Sequence, residues 1–251
     1  MTGRVLYLIR HGRSDFDRLE ERFAGARGEQ WDPPLSEEGR RQAELLAARL
    51  LVMDLEPFVV YSSPLRRATE TAGAFAERAG IEVSLEDDLM EAHIGGWEGV
   101  PFEELVETDP DIVHHLRNQR AIWHRAPDAE REDRFRARVR DAVEDLLSRH
   151  TDVNVVCFVH GGVINAYCGE VLGLAQEMFF LPENTSVNSI EIDGELRRVR
   201  FLNDVLHLTD PHFFQGGPPY TPSDPQPPND VDARRSWTWP SSSSPNPGPK
   251  R

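Results

Sequence analysis

The chain has 251 residues, 39% of them hydrophobic, and carries 43 Asp and Glu against 28 Lys and Arg, a net charge of −15. That length allows one sizeable domain with a buried core, while the acidic balance argues against nucleic acid as a partner, because counterion release needs a basic face. No apolar stretch is long enough to span a bilayer, and Met1-Thr2-Gly3-Arg4 leads straight into a strand with no room for a secretory signal, so a soluble cytoplasmic protein is expected.

The first element is the run Val5-Leu6-Tyr7-Leu8-Ile9, which reads as a strand buried on both faces of a parallel sheet and ends in Arg10-His11-Gly12. Residues 12 to 35 are polar and irregular. Ser36 then has the character of an N-cap, with Glu37 and Glu38 in the first turn, and Ala43, Leu46, Ala47, Leu50 and Leu51 follow at helical spacing. A strand at 57–61 precedes Ser62-Ser63-Pro64-Leu65-Arg66-Arg67, where Pro64 opens a helix that Gly80 closes. A short strand around 81–84 leads into the loop Glu91-Ala92-His93-Ile94-Gly95-Gly96-Trp97-Glu98-Gly99. Residues 101–126 read as largely helical with a break at Pro110, and 132–149 as a charged amphipathic helix. A second buried strand, 153–159, ends in His160-Gly161-Gly162 and a helix over 162–172, before two strand-like runs near 185–192 and 195–202.

Repeated strand–helix units point to a three-layer α/β/α sandwich with a mostly parallel central sheet, spanning residues 1–210. From Pro211 the composition changes. Eleven of the nineteen prolines lie in 211–251 beside Ser241-Ser242-Ser243-Ser244, so this stretch is expected to be a disordered tail in which Trp237 and Trp239 stand out. Cys157 and Cys168 read as free buried thiols. His114, His115 and His124 lack a cysteine or carboxylate frame at ligand spacing and read as surface histidines, so no metal and no cofactor is expected.

Ligands bind outside the carboxyl ends of the strands in such sheets. Two histidines presented there, with arginines beside them, describe an anion site that contains a nucleophile. The blocks Leu8-Ile9-Arg10-His11-Gly12, Pro34-Leu35-Ser36-Glu37-Glu38-Gly39, Ser62-Ser63-Pro64-Leu65-Arg66-Arg67-Ala68, Leu89-Met90-Glu91 and Val159-His160-Gly161-Gly162 resemble the histidine phosphatase superfamily, which includes the phosphoglycerate mutases. Leu202-Asn203-Asp204 through His207-Leu208 continues the match. The resemblance runs over residues 4 to 208 and implies a phosphoglycerate mutase-like fold.

It implies that His11 attacks phosphorus, that Arg10 and Arg66 hold the phosphoryl oxygens, and that His160 and Gly161 complete the cradle. One nitrogen of His11 would be held by a carbonyl that fixes its tautomer. Glu91 would protonate the leaving group, helped by apolar surface from Trp97. Arg67 reads as an exposed helix arginine, and His93 as a pocket-lining or structural residue. Arg13 and Asp17 are further candidate substrate-binding residues, although they stand where relatives carry other residues and Asp17, unlike an asparagine, cannot donate to phosphate. Glu130 keeps its spacing to Arg138 within a degraded block at 129–131. The expected substrate is a small phosphorylated metabolite, hydrolysed through phosphohistidine, with oligomeric state left open. The alternatives are a phosphoglycerate mutase, disfavoured by the short stretch between Glu91 and His160, and a non-catalytic phosphate-binding module.

Overall fold

A computed structural model describes residues 3–18, 20–25 and 28–210, so the expected tail and its two tryptophans lie outside the described residues. In chain order the elements are β1 (Arg4–Arg10), β2 (Arg22–Gly25), β3 (Gly28–Trp31), α1 (Glu37–Val52), β4 (Phe58–Ser62), α2 (Arg66–Ala79) and β5 (Ser84–Leu85). They continue with α3 (Phe102–Thr108), α4 (Asp111–Arg117), α5 (Glu132–Arg149), β6 (Asn154–Val159), α6 (Gly161–Val171), β7 (Val187–Asp193), β8 (Leu196–Asp204) and α7 (Leu206–Thr209).

Six strands form one sheet in the order β5-β4-β6-β1-β7-β8. β1, β4, β5 and β6 run parallel, and the β7–β8 hairpin adds two antiparallel strands beside β1. The two-residue side-chain period of a strand explains the layers. Leu6 and Leu8 of β1 join Val155, Cys157 and Val159 of β6 in a core shared with Phe135, Val139 and Val143 of α5 and Ile164 of α6. Val5, Tyr7 and Ile9 point the other way, meeting Val156 and Phe158 of β6, Leu46 and Leu50 of α1 and Phe75 of α2. Both sides of β1 are therefore dry, which is why its sequence is an unbroken apolar run. Cys157 and Cys168 are free and buried. Among the described residues, no helix is long and apolar enough to cross a membrane.

The pairing Arg10↔Val159 brings the carboxyl ends of β1 and β6 level, so His11 and His160 leave the sheet side by side. Two expectations need correction. Arg22–Gly25 and Gly28–Trp31 pair as two antiparallel strands rather than irregular loop; four residues are too few to carry a sustained alternating apolar signal. The short strand expected at 81–84 is instead the edge pair Ser84–Leu85, both residues exposed.

Candidate active site

The loop after β1 is set by close backbone packing. An added Cβ on Gly12 would lie 2.6 Å from the Gly39 carbonyl oxygen, and one on Gly39 only 2.0 Å from that of Arg13. Glycine is the residue that lets these two segments touch. Ser36 caps α1 by accepting the Gly39 N–H at 3.0 Å and donates its hydroxyl to the Arg13 carbonyl, while Gln42 accepts the Arg13 N–H. Thr71 of α2 accepts the Gly12 N–H at 3.0 Å and donates to the Arg67 carbonyl. The far side of His11 is held by Asn184 and Thr185, whose N–H groups both donate to its carbonyl. The motif around Pro34–Gln42 is thus a clamp on the histidine loop.

The His11 and His160 rings lie 5.1 Å apart at 56°. His11 Nδ1 is 2.7 Å from the Gly12 carbonyl oxygen, an acceptor only, so Nδ1 carries the proton and Nε2 keeps its lone pair. Burial, then the guanidiniums of Arg67 and Arg10, hold the His11 pKa well below the usual histidine range. His160 is fully buried and shifted the same way, by burial, Arg67, His11 and Arg10. Its Nε2 is 2.8 Å from Ser63 Oγ. Among the described residues, His160 Nδ1 and Arg10 Nε are buried without a hydrogen-bond partner. Arg10 also donates through Nη1 to the Pro182 carbonyl.

Glu91 reaches the amino end of α6. Its carboxyl group accepts the Gly162 N–H at 2.9 Å and its neighbour Ala92 N–H at 3.0 Å, which ties it to the first turn of α6. A Cβ on Gly162 would sit 2.2 Å from Glu91 Oε1, and one on Gly161 would sit 3.7 Å from Arg10 Nε. Of the two glycines after His160, Gly162 leaves room for the carboxylate, while at Gly161 a side chain would make only ordinary contact with the guanidinium. Arg138 fixes the Glu91 strap, donating to the Asp88 and Met90 carbonyls while paired two-fold with Glu130 at 2.9 and 2.7 Å. Gln30 donates to the Glu91 carbonyl from the other side.

The structure places the two neighbouring arginines otherwise than expected. Arg66 is half exposed, its guanidinium engaged with Glu70 at 2.7 Å and near Glu21 at 3.9 Å. Arg67 is 8% exposed, donates to the Trp31 carbonyl, faces Asp32 at 3.8 Å, and is the first charge acting on both imidazoles. The expected exposures are therefore exchanged: Arg67 is the buried guanidinium beside the imidazoles, and Arg66 lies at the surface. The helical period carries the signal. Arg67, Thr71 and Phe75 repeat every four residues along the buried stripe of α2, whereas Arg66 leads the polar stripe through Glu70.

Arg13 and Asp17 are exposed on the loop, and neither is among the charges acting on the imidazoles. His93 is structural: its ring bridges the Glu29 carbonyl and the Gly95 N–H. Trp123, rather than Trp97, shares with Glu91 the lining of the adjoining cavity. Sequence reasoning also missed Asp32, whose carboxylate accepts the Arg66 N–H at 2.6 Å and caps α2 from the hairpin side. No group of three or more His, Cys, Asp or Glu is placed to hold a metal ion among the described residues.

Comparison with known proteins accords with this geometry. The model of the histidine phosphatase superfamily (branch 1) matches residues 6–205. Phosphoserine phosphatase 1 of Hydrogenobacter thermophilus is 32% identical over 206 residues, covering 81% of this chain and 93% of that protein. Glucosyl-3-phosphoglycerate phosphatase of Mycolicibacterium vanbaalenii is 34% identical over 182 residues, covering 69% and 76%. Among solved structures, Bacillus stearothermophilus YhfR superposes with a TM-score of 0.68 at 31% identity, covering 82% of this chain and 99% of that one. A mycobacterial glucosyl-3-phosphoglycerate phosphatase in complex with inorganic phosphate gives 0.65 at 30%, covering 81% and 99%.

Proposed function

The chain belongs to the histidine phosphatase superfamily, and from that premise we propose that it hydrolyses small phosphomonoesters through a phosphohistidine on His11. The observation that carries this is the pair of buried imidazoles 5.1 Å apart, with Arg10 and Arg67 acting on both and Glu91 at the adjoining helix end. Relatives named as phosphatases of phosphoserine and of glucosyl-3-phosphoglycerate support a small phosphorylated metabolite as the substrate.

The steps follow from the tautomer. A phosphomonoester dianion enters between the two rings, and the guanidiniums of Arg10 and Arg67 take its equatorial oxygens with charge-assisted hydrogen bonds. His11 Nε2 attacks phosphorus in line. A P–N bond forms as the bond to the leaving oxygen breaks, and Glu91, protonated at this stage, gives its proton to the departing alkoxide. His160 stabilises the charge that spreads over the phosphoryl oxygens. Water then attacks phosphorus from the side the alcohol has vacated. Its proton passes to Glu91, the P–N bond breaks, and inorganic phosphate leaves with His11 restored. No step requires a metal ion, because the guanidiniums carry the countercharge. The free buried thiols Cys157 and Cys168 suit a reducing cytoplasm.

A hydrolase and a mutase differ in what accepts the phosphoryl group. Incubation with 3-phosphoglycerate and a bisphosphoglycerate primer is expected to release inorganic phosphate without accumulating 2-phosphoglycerate. Rapid 2-phosphoglycerate formation would reverse the assignment, and absence of turnover on a panel of phosphomonoesters would leave a binding module.

A further inference from the structure

A cavity of about 190 Å³ opens beside the phosphoryl site. Its floor is Arg10, Glu91, Gly161 and Gly162, and its walls include Ala92, Ile94, Trp123, Met178, Leu181 and Pro182. At about 30 Å³ per water it holds roughly six, the bulk of a six-membered ring or a branched five-carbon chain. In the reaction described above, the leaving oxygen must lie against Glu91 and opposite His11. The remainder of the alcohol then extends into this chamber.

The chamber has an uneven chemistry. Its walls are apolar, and Arg10 is the one cation among the described residues that line it, a residue already turned to the phosphoryl oxygens and to the Pro182 carbonyl. Further carboxyls act near Glu91. Glu132, at the start of α5, has an Oε2 buried without a hydrogen-bond partner among the described residues. Burial and the nearby Glu177, Glu91 and Glu130 push its carboxyl up to about 7 despite Arg136. A carboxylate carried by the leaving group would therefore meet mostly hydrocarbon, with no guanidinium but Arg10 among the described residues that line the chamber. An unpaired charge in such surroundings is strongly disfavoured, whereas an uncharged apolar group gains by leaving water.

From this we infer that the chamber selects phosphomonoesters of uncharged alcohols with a compact apolar body, aryl or branched alkyl phosphates, over esters whose alcohol carries a carboxylate. The inference rests on the hydrolase reading and narrows its substrate class. Ile94, Trp123, Met178 and Leu181 are then the specificity-determining residues.

The test compares kcat/KM for 3-methylbutyl phosphate and O-phosphoserine, two alkyl esters of similar size, with phosphohistidine trapping run in parallel. The apolar ester is expected to be preferred by about 10²-fold, an unpaired carboxylate costing at least that factor. Leu181, 63% exposed at the rim, accepts a longer side chain without disturbing the core. Leu181→Arg is expected to raise kcat/KM for O-phosphoserine at least about tenfold, by supplying the missing cation. Equal or better use of O-phosphoserine by the wild-type protein, with phosphohistidine still trapped, overturns the substrate class and leaves the mechanism standing. An O-phosphoserine rate unmoved by Leu181→Arg overturns the charge argument. Failure to hydrolyse either ester, without trapped phosphohistidine, overturns the underlying reading and this inference with it.

Discussion

Replacing Gly162 by alanine should separate activity from stability. The added Cβ would lie 2.2 Å from Glu91 Oε1, where ordinary contact begins near 3.4 Å, so the carboxylate must retreat by the difference, about 1.2 Å. It can do so cheaply, because the obstructing atom is the end of a flexible side chain. A displacement of about 1 Å in a reacting group typically lowers a rate about 10²-fold. Alanine in place of glycine inside a helix contributes about 0.5–1 kcal/mol of stability, so α6 itself has no reason to weaken. Kinetics and a thermal melt of Gly162→Ala read both effects. Because kcat/KM reports through the first irreversible step, the transfer to His11, it isolates Glu91 as proton donor. An alkyl phosphate should lose about 10²-fold in kcat/KM. With p-nitrophenyl phosphate, whose phenolate needs little protonation, the loss should stay under about tenfold, and Tm should hold or rise. Retention of alkyl-ester kcat/KM to within about threefold, or equal losses on both esters, would refute the placement of Glu91 at the leaving group.

Three further outcomes are expected. Arg67→Ala should lower kcat by about 10²–10³-fold, the usual cost of one donor to a developing anion, while Arg66→Ala should change it by no more than a few-fold; the reverse order in steady-state kinetics would restore the assignment made from sequence. Thr71→Val leaves the buried Gly12 N–H without its acceptor, and urea unfolding should show a loss of about 1–3 kcal/mol; an unchanged midpoint would remove Thr71 as the tie between α2 and the His11 loop. The third concerns pH. His207 is buried between Arg49, whose Nη1 is 3.3 Å from its Nδ1, and Thr185, and burial, then Arg49, pushes its pKa down to about 4. The unfolded chain, with a histidine near 6.5, binds that proton first. Folded stability therefore falls as pH drops from about 6.5 to about 4, by up to about 1.4 kcal/mol per pH unit for this one group. His11 and His160, shifted in the same direction, add to the slope. Urea midpoints between pH 7 and pH 5 should decline less steeply in His207→Gln than in the wild type, and parallel declines would discount the group.

What the sequence disclosed and what it withheld follow from range. β1 and β6 were legible because burial on both faces writes an unbroken apolar run, and α5 because its period persists over eighteen residues, Glu132–Arg149. The helix ends were legible where capping is local, as with Ser36 at α1 and Gly80, left-handed at φ 67°, after α2. Asp32 was invisible because it caps α2 from thirty-four positions away along the chain. The β2–β3 pair was invisible because its strands are four residues each, too short to show a period, and it matters through single contacts such as Gln30 to the Glu91 carbonyl. His11, His160 and Arg10 stood out because the strand ends that carry them are themselves conspicuous, whereas Glu91 lies in a loop beyond the short edge strand. The misplaced exposure of Arg66 and Arg67 had a different origin. Adjacent helix residues differ by about 100° in direction, and the buried stripe through Thr71 and Phe75 resolves the pair once it is traced back to the first turn.

The central claim is a covalent bond between phosphorus and His11. Rapid quenching into alkali of the enzyme mixed with a ³²P-labelled ester, followed by peptide mapping, tests it directly, since phosphoramidates survive base and are lost in acid. Label should appear within the first turnover on the peptide that carries His11, and should be absent from that of His160 and from His11→Ala. Turnover without base-stable label on His11, or label on His160 instead, would contradict the account.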